Sequence, residues 1–181
     1  MSRPSHRWLA LAAGLAGLVS RPAGAIPTFT LNDQHERQHS SRTLLRDRKP
    51  VLLISGDQRK SDRDIAAWHK ALREAGVKGV VTRGLVDLEE VPFFIPDALV
   101  RRALRKSNPR LPVLCDYDGK VFKRLALPAG GVAVTVLDAR GKKVGQVRGK
   151  PSKDGLARIK QLLKRSAGES IPLQMNGQPR L

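Results

Sequence analysis

The chain has 181 residues, with Lys+Arg 34 against Asp+Glu 16 and a formal charge of +18. Hydrophobic residues make up 40% and aromatic ones 4%, enough for a globular core built mainly from aliphatic side chains. A single cysteine excludes an intrachain disulfide, a CxxC redox pair and any multi-cysteine zinc site.

Residues 1–25 read as a secretory signal peptide. Arg3 and Arg7 form its basic start, Trp8 to Val19 its apolar run, and Ala23-Gly24-Ala25 its small-x-small cleavage pattern. The apolar run is about half the ~20 residues that span a bilayer. No cysteine follows the cut, which sets lipidation aside. The alternative is an uncleaved amphipathic N-terminus. Cleavage after Ala25 implies a periplasmic or secreted protein. Loss of Arg3, Arg7 and Arg21 leaves the remainder strongly basic.

The segment from Pro27 to Leu31 is expected to be extended, and Asn32 to Ser40 turn-like. Ser40 or Ser41 caps a short helix from Arg42 to Arg46. Val51 to Ile54 is a continuous apolar run, as in a strand buried on both faces, and Ser55-Gly56-Asp57 ends it. Ser61 caps a helix with Asp62 and Asp64 in its first turn, where the helix dipole favours acids. Ile65, Trp68, Leu72 and Ala75 form its apolar stripe, and Gly76 closes it. A second buried strand is expected from Val77 to Thr82, and a loop from Arg83 to Pro92.

Pro96 starts another helix, with Leu99, Val100, Ala103 and Leu104 on one side. Leu111 to Cys115 is a further strand, and Asp118-Gly119 a tight turn into Val121-Phe122. Val132 to Leu137 is the strongest strand signal. Asp138 to Gly141 turns it into Lys142 to Val147, which pairs back antiparallel. Ser152 caps a last helix carrying Leu156, Ile159, Leu162 and Leu163. Residues 166–181 show no periodicity and are expected to form a flexible tail. The order predicts an α/β protein with a mixed sheet, helices on both faces, and a terminal hairpin followed by a helix.

This order resembles the thioredoxin-like fold in its redoxin branch, which includes peroxiredoxins and exported thiol reductases. Ile26 to Asp33 resembles the family's opening P-x-F-x-L-x-D. Val51 to Ile54 with the helix at Ser61 resembles its first core strand and active-site helix. Leu111 to Gly119 resembles its P-x-L-x-D-x-x-G segment, and Gly131 to Gly141 its last hairpin. The resemblance covers about residues 26–165. Among such proteins, the chain also resembles the exported YtfJ type without CxxC. The resemblance implies a catalytic cysteine after the first core strand, where a helix N-terminus stabilises the thiolate. Here that stretch includes Ser55, Gly56, Asp57, Ser61 and Asp62, with no cysteine. The family's cis-proline position matches Val132 or Ala133. Both elements of a degenerate active site are therefore replaced.

Cys115 reads as a small buried hydrophobe, with Asp116 beside it disfavouring a thiolate. The alternative is a reactive thiol with single-cysteine thiol or peroxide chemistry. His35, His39 and His69 read as exposed histidines; with no further ligand nominated, no metal site and no cofactor are expected. Asp57, Asp62 and Asp64 read as capping acids rather than a cation site.

Two basic groups stand out. Arg101, Arg102, Arg105, Lys106 and Arg110 lie around one helix; Lys142, Lys143, Arg148 and Lys150 lie on the terminal hairpin. Without interleaved aromatics they suit an anionic envelope surface better than single-stranded nucleic acid, and export argues against nucleic acid altogether. Solvated faces are the alternative. The sequence thus points to an exported, non-catalytic binding protein whose partner is an anionic envelope surface or another envelope protein.

Overall fold

The computed structural model describes residues 26–57 and 61–168. The signal-peptide reading and most of the tail lie outside the described residues. Where the tail was expected to begin, Ser166 still belongs to the last helix.

A five-stranded sheet has the order β5-β4-β3-β6-β7. Its strands are β3 (Val51–Asp57), β4 (Val81–Asp87), β5 (Val113–Asp116), β6 (Ala133–Leu137) and β7 (Lys143–Arg148). The first three are parallel; β6 runs antiparallel to β3, and β7 antiparallel to β6. A small hairpin of β1 (Thr30–Asn32) and β2 (Gln38–Ser40) precedes it. The helices are α1 (Ser41–Leu45), α2 (Asp62–Glu74), α3 (Asp97–Ser107), α4 (Lys120–Arg124) and α5 (Lys153–Ser166).

Successive strand side chains point to opposite faces, so β3 supplies two cores. Leu52 and Ile54 face Ile65, Trp68 and Leu72 of α2, Val100 and Leu104 of α3, and Ile159 and Leu162 of α5. Val51 and Leu53 face Phe29, Leu44, Val121 and Phe122 under α1 and α4. Trp68 Nε1 donates to Gly149 O at 2.7 Å, tying α2 to the end of β7.

Several elements differ from expectation. Asn32 to Ser40 contains two paired strand ends rather than turn alone, because Asp33 N bonds Arg37 O and closes a hairpin. Ser55, Gly56 and Asp57 continue β3 rather than end it, since β4 pairs with them through Asp87. The second core strand starts at Val81, not Val77. Val77 N bonds Leu72 O to finish α2, and Gly76 and Gly79 at φ 69° and 74° turn the chain first. Asp118-Gly119 leads into helix α4, not a hairpin; Gly119, left-handed at φ 62°, is its N-cap. On α3, Val100 and Leu104 are buried, whereas Leu99 and Ala103 face outward.

Gln34 was read only as part of a turn. It is fully buried beside β5. Its Nε2 donates to Leu111 O at 2.8 Å and Asn108 O at 3.2 Å, and its Oε1 accepts from Val113 N at 2.7 Å. The side chain thus satisfies backbone groups at the free edge of the sheet, where β1 and β2 dock. Gln34→Ala leaves a buried N–H and carbonyls unpaired, so a loss of about 2–4 kcal/mol in urea unfolding is expected. Gln34→Glu should not rescue it, because its carboxylate has no N–H to donate.

Candidate functional site

In open α/β sheets, ligands sit outside the carboxyl ends of the parallel strands. Here those ends carry an acidic row. The pairing register aligns Asp57 of β3 with Asp87 of β4, and Asp87 with Asp116 of β5. A cleft of about 740 Å³ opens at this end, lined in part by Asp57, Asp64, Asp87, Glu90, Val91 and Lys150. Gly130 and Gly131, ahead of β6, form its far wall.

Of the residues expected to form a degenerate active site, Asp57 lines this cleft. Ser61 stands at the N-cap position of α2 but makes no side-chain cap bond. Its Oγ donates instead to Asp57 Oδ1 at 3.1 Å, and Gly131 N donates to Asp57 Oδ2 at 3.3 Å. One carboxylate therefore joins β3, α2 and the loop before β6. Gly56 permits this closure, because a Cβ there would lie 2.3 Å from Ser61 Cβ. Ser55 is buried, with its Oγ 3.4 Å from Ala133 O. Val132 and Ala133 are buried core residues. Asp62 was read as a capping acid, yet burial pushes its pKa up and its Oδ1 has no partner among the described residues.

Cys115 lies elsewhere. Its side chain is in the core under α3, and it lines a separate cleft of about 460 Å³ with Asp33, Arg101 and Tyr117. Burial pushes its thiol up to about 12, with Asp33 and Asp97 adding to the rise and Arg101 opposing it. Asp116, expected to act on this thiol, points to the opposite face of β5 and accepts from Phe122 N at 2.7 Å.

Asp116 is wholly buried, and its Oδ1 has no donor among the described residues. Burial, with Asp118 and Asp87 beside it, raises its carboxyl to about 6; the Phe122 bond works the other way. His39 is not a free exposed histidine. Its Nε2 lies 3.0 Å from Asp33 Oδ2. Burial alone would raise the Asp33 pKa, but His39 and the backbone N–H groups of Arg37 and His35 hold it below the usual value. His69 is half-buried on α2, its pKa lowered by burial and by Arg73. Among the described residues, no group of three or more His, Cys, Asp or Glu is arranged to hold a metal ion.

The structure does not bring the two basic groups together. Arg101 pairs with Glu36 at 3.1 Å and Asp97 at 3.7 Å, and Arg105 donates to Gln34 O at 2.7 Å. These two arginines hold the protein together, while Arg102, Lys106 and Arg110 remain exposed. Lys142, Lys143, Arg148 and Lys150 are exposed along β7, the opposite edge of the sheet. The neighbouring α5 adds exposed Lys153, Arg158, Lys160 and Lys164, an extension the sequence reading did not include.

The sheet order, the helices on both faces and the cleft at the strand ends define a thioredoxin-like fold. The chain is similar to a secreted disulfide oxidoreductase of Mycobacterium tuberculosis, at 15% identity and TM-score 0.53, covering 76% of this chain and 95% of that one. It is also similar to the exposed lipoprotein thioredoxin of Streptococcus pneumoniae, at 20% identity and TM-score 0.57, covering 77% and 99%. A thiol-disulfide oxidoreductase of Bacteroides fragilis matches at 17% identity and TM-score 0.57, over 76% and 98%. No protein-family model and no curated protein matches the chain. The fold is shared, but one cysteine fits no dithiol centre.

The acidic row predicts a pH signature. With Asp116 raised to about 6, the folded state holds a proton that the unfolded chain has released. Stability contributed by this group is present below the unfolded value of about 4 and is lost as pH rises toward 6. Asp116→Asn keeps an oxygen to accept from Phe122 N and does not titrate. Its melting temperature should gain on the wild type between pH 4 and pH 7, by the equivalent of at most about 3 kcal/mol. Parallel melting curves across that range would refute this role for Asp116.

Proposed function

We propose that the protein is an exported, non-catalytic interaction protein. It uses a thioredoxin-like scaffold without a dithiol centre and is held at an anionic surface of the cell envelope by its β7–α5 edge. The observation that carries the reading is the position of the sole thiol. Cys115 is buried on β5, in a different cleft from the α2 N-terminus, with its pKa pushed up to about 12. A thiol so far from the thiolate form is a poor nucleophile. Single-cysteine chemistry at Cys115 would require the side chain to leave the core.

Three features support the location. Residues 1–25 have the basic, apolar and Ala-Gly-Ala order of an export signal. Two similar structures are described as a secreted and an exposed protein. No helix among the described residues is long and apolar enough to cross a membrane. Charge offers one means of surface attachment. Lys142, Lys143, Arg148, Lys150, Lys153 and Lys160 are exposed on one edge, and none forms an ion pair within 4.0 Å among the described residues.

Sedimentation with phosphatidylglycerol-containing vesicles tests the reading. Each cation near an anionic surface contributes about 1 kcal/mol. Lys142→Glu, Lys143→Glu and Arg148→Glu together should therefore weaken binding at least about tenfold. Arg102→Glu with Lys106→Glu should change it much less. Binding should also fall steeply with salt. The same preparation should reduce insulin no faster than buffer, and protein from the cell envelope should begin at or near Ile26. Equal losses in both mutant sets would overturn the edge assignment; thiol-dependent turnover would overturn the non-catalytic one.

A further inference from the structure

The loop between β4 and α3 differs from the rest of this basic chain. Asp87 to Asp97 reads Asp-Leu-Glu-Glu-Val-Pro-Phe-Phe-Ile-Pro-Asp, four acids and no base in a chain where Lys+Arg 34 exceed Asp+Glu 16. At its tip, Phe93 is 100% exposed and Phe94 72% exposed, and Leu99 at the start of α3 is 55% exposed. The two rings stand edge to face with centroids 5.9 Å apart.

The tip is built to hold that exposure. Ile95 N donates to Pro92 O at 2.9 Å, which makes Phe93 and Phe94 the central residues of a closed turn. Val91 N donates to Leu88 O at 3.0 Å behind it. Val91 and Ile95 pack against the core on either side. Pro92 and Pro96 fix φ at both ends. The chain therefore displays two phenylalanines on a stapled turn, with little ordering left to do on contact. Apolar groups exposed together within a polar rim mark interaction sites.

Charge selects the partner. Glu89 is paired with Lys123 at 2.6 Å and Asp97 with Arg101 at 3.7 Å, whereas Glu90, beside the rings, has no ion-pair partner among the described residues and continues with Val91 into the carboxylate cleft of Asp57, Asp64 and Asp87. Lys150 is the one cation among the described lining residues. An anionic bilayer would meet these carboxylates with repulsion as the rings approached. A polypeptide bearing lysines or arginines beside apolar side chains meets both features with attraction.

We propose that the Phe93–Phe94 turn and the adjoining carboxylate cleft form a docking surface for a cationic polypeptide segment that carries apolar side chains. This surface shares only Lys150 with the β7–α5 edge and is opposite in charge, so variants that leave Lys150 in place test the two assignments separately.

A short fluorescein-labelled peptide alternating Lys and Leu provides the probe, read by anisotropy against the mature full chain. It should bind, whereas the Glu-Leu and Lys-Ser counterparts should bind at least about tenfold more weakly. Phe93→Ser with Phe94→Ser should weaken Lys-Leu binding at least about tenfold, with the melting temperature unchanged because neither ring is buried. Glu90→Gln with Asp64→Asn should weaken it about threefold and flatten its salt dependence. Phosphatidylglycerol vesicles should bind the phenylalanine variant as they bind the wild type. Absence of Lys-Leu binding, equal binding of the Glu-Leu peptide, or a phenylalanine variant that binds peptide normally would overturn the proposal. Loss of vesicle binding in that variant would assign the turn to membrane insertion instead.

Discussion

Everything in this structure is referred to β3, a central strand with no solvent-facing side over its first four residues. Val51, Leu52, Leu53 and Ile54 are each 0% exposed, and alternate ones enter different cores. A one-residue slip would exchange the two sets and unpack both faces. The same register carries Asp57 to the carboxyl end of the sheet, where its two oxygens reach α2 and the loop before β6. Packing in the middle of the strand therefore decides the polar architecture at its end.

At that end a hydroxyl-to-carboxylate bond joins Ser61 to Asp57, and Val132 is buried ahead of β6. Asp64, Asp87 and Glu90 are gathered at the same end, although the chain as a whole is basic. The cations are spread over α3 and the β7–α5 edge, and some of those on α3 are consumed in holding the small hairpin. Net charge alone hides this separation, which is why the two kinds of surface call for partners of opposite sign.

The elements legible in the sequence are those fixed by local pattern. The apolar run at Val51, the stripe at Ile65, Trp68 and Leu72, the Val132 to Leu137 run and the Ser152 cap all report on neighbours within a few residues. β4 was displaced because Val77 and Val80 are apolar for a different reason: they pack on the core beside a turn. Arg83 obscured the true strand, since a charged side chain half-buried on a strand looks like loop in a one-dimensional reading. Asp118-Gly119 carries the same residues as a hairpin turn, and only the left-handed Gly119 followed by Val121 and Phe122 in the core identifies a helix start. The acidic row was not legible at all. Asp57, Asp87 and Asp116 are far apart in sequence, and only strand register aligns them. Phe93 and Phe94 were visible as residues, but their exposure follows from where Val91 and Ile95 anchor.

The contact between Gly56 and Ser61 also limits what this scaffold can become. A cysteine at position 61 would put its sulfur near the present Oγ, 3.1 Å from Asp57 Oδ1. The helix terminus offers it roughly half a positive charge, while Asp57 opposes it with a full negative one at contact distance. The sulfur would also need more room over Gly56, where the serine already fits closely. Thiol chemistry is thus not one codon away. A stable thiolate there would require the carboxylate to leave first, and with it the bonds that fasten α2 and the loop before β6 to the central strand.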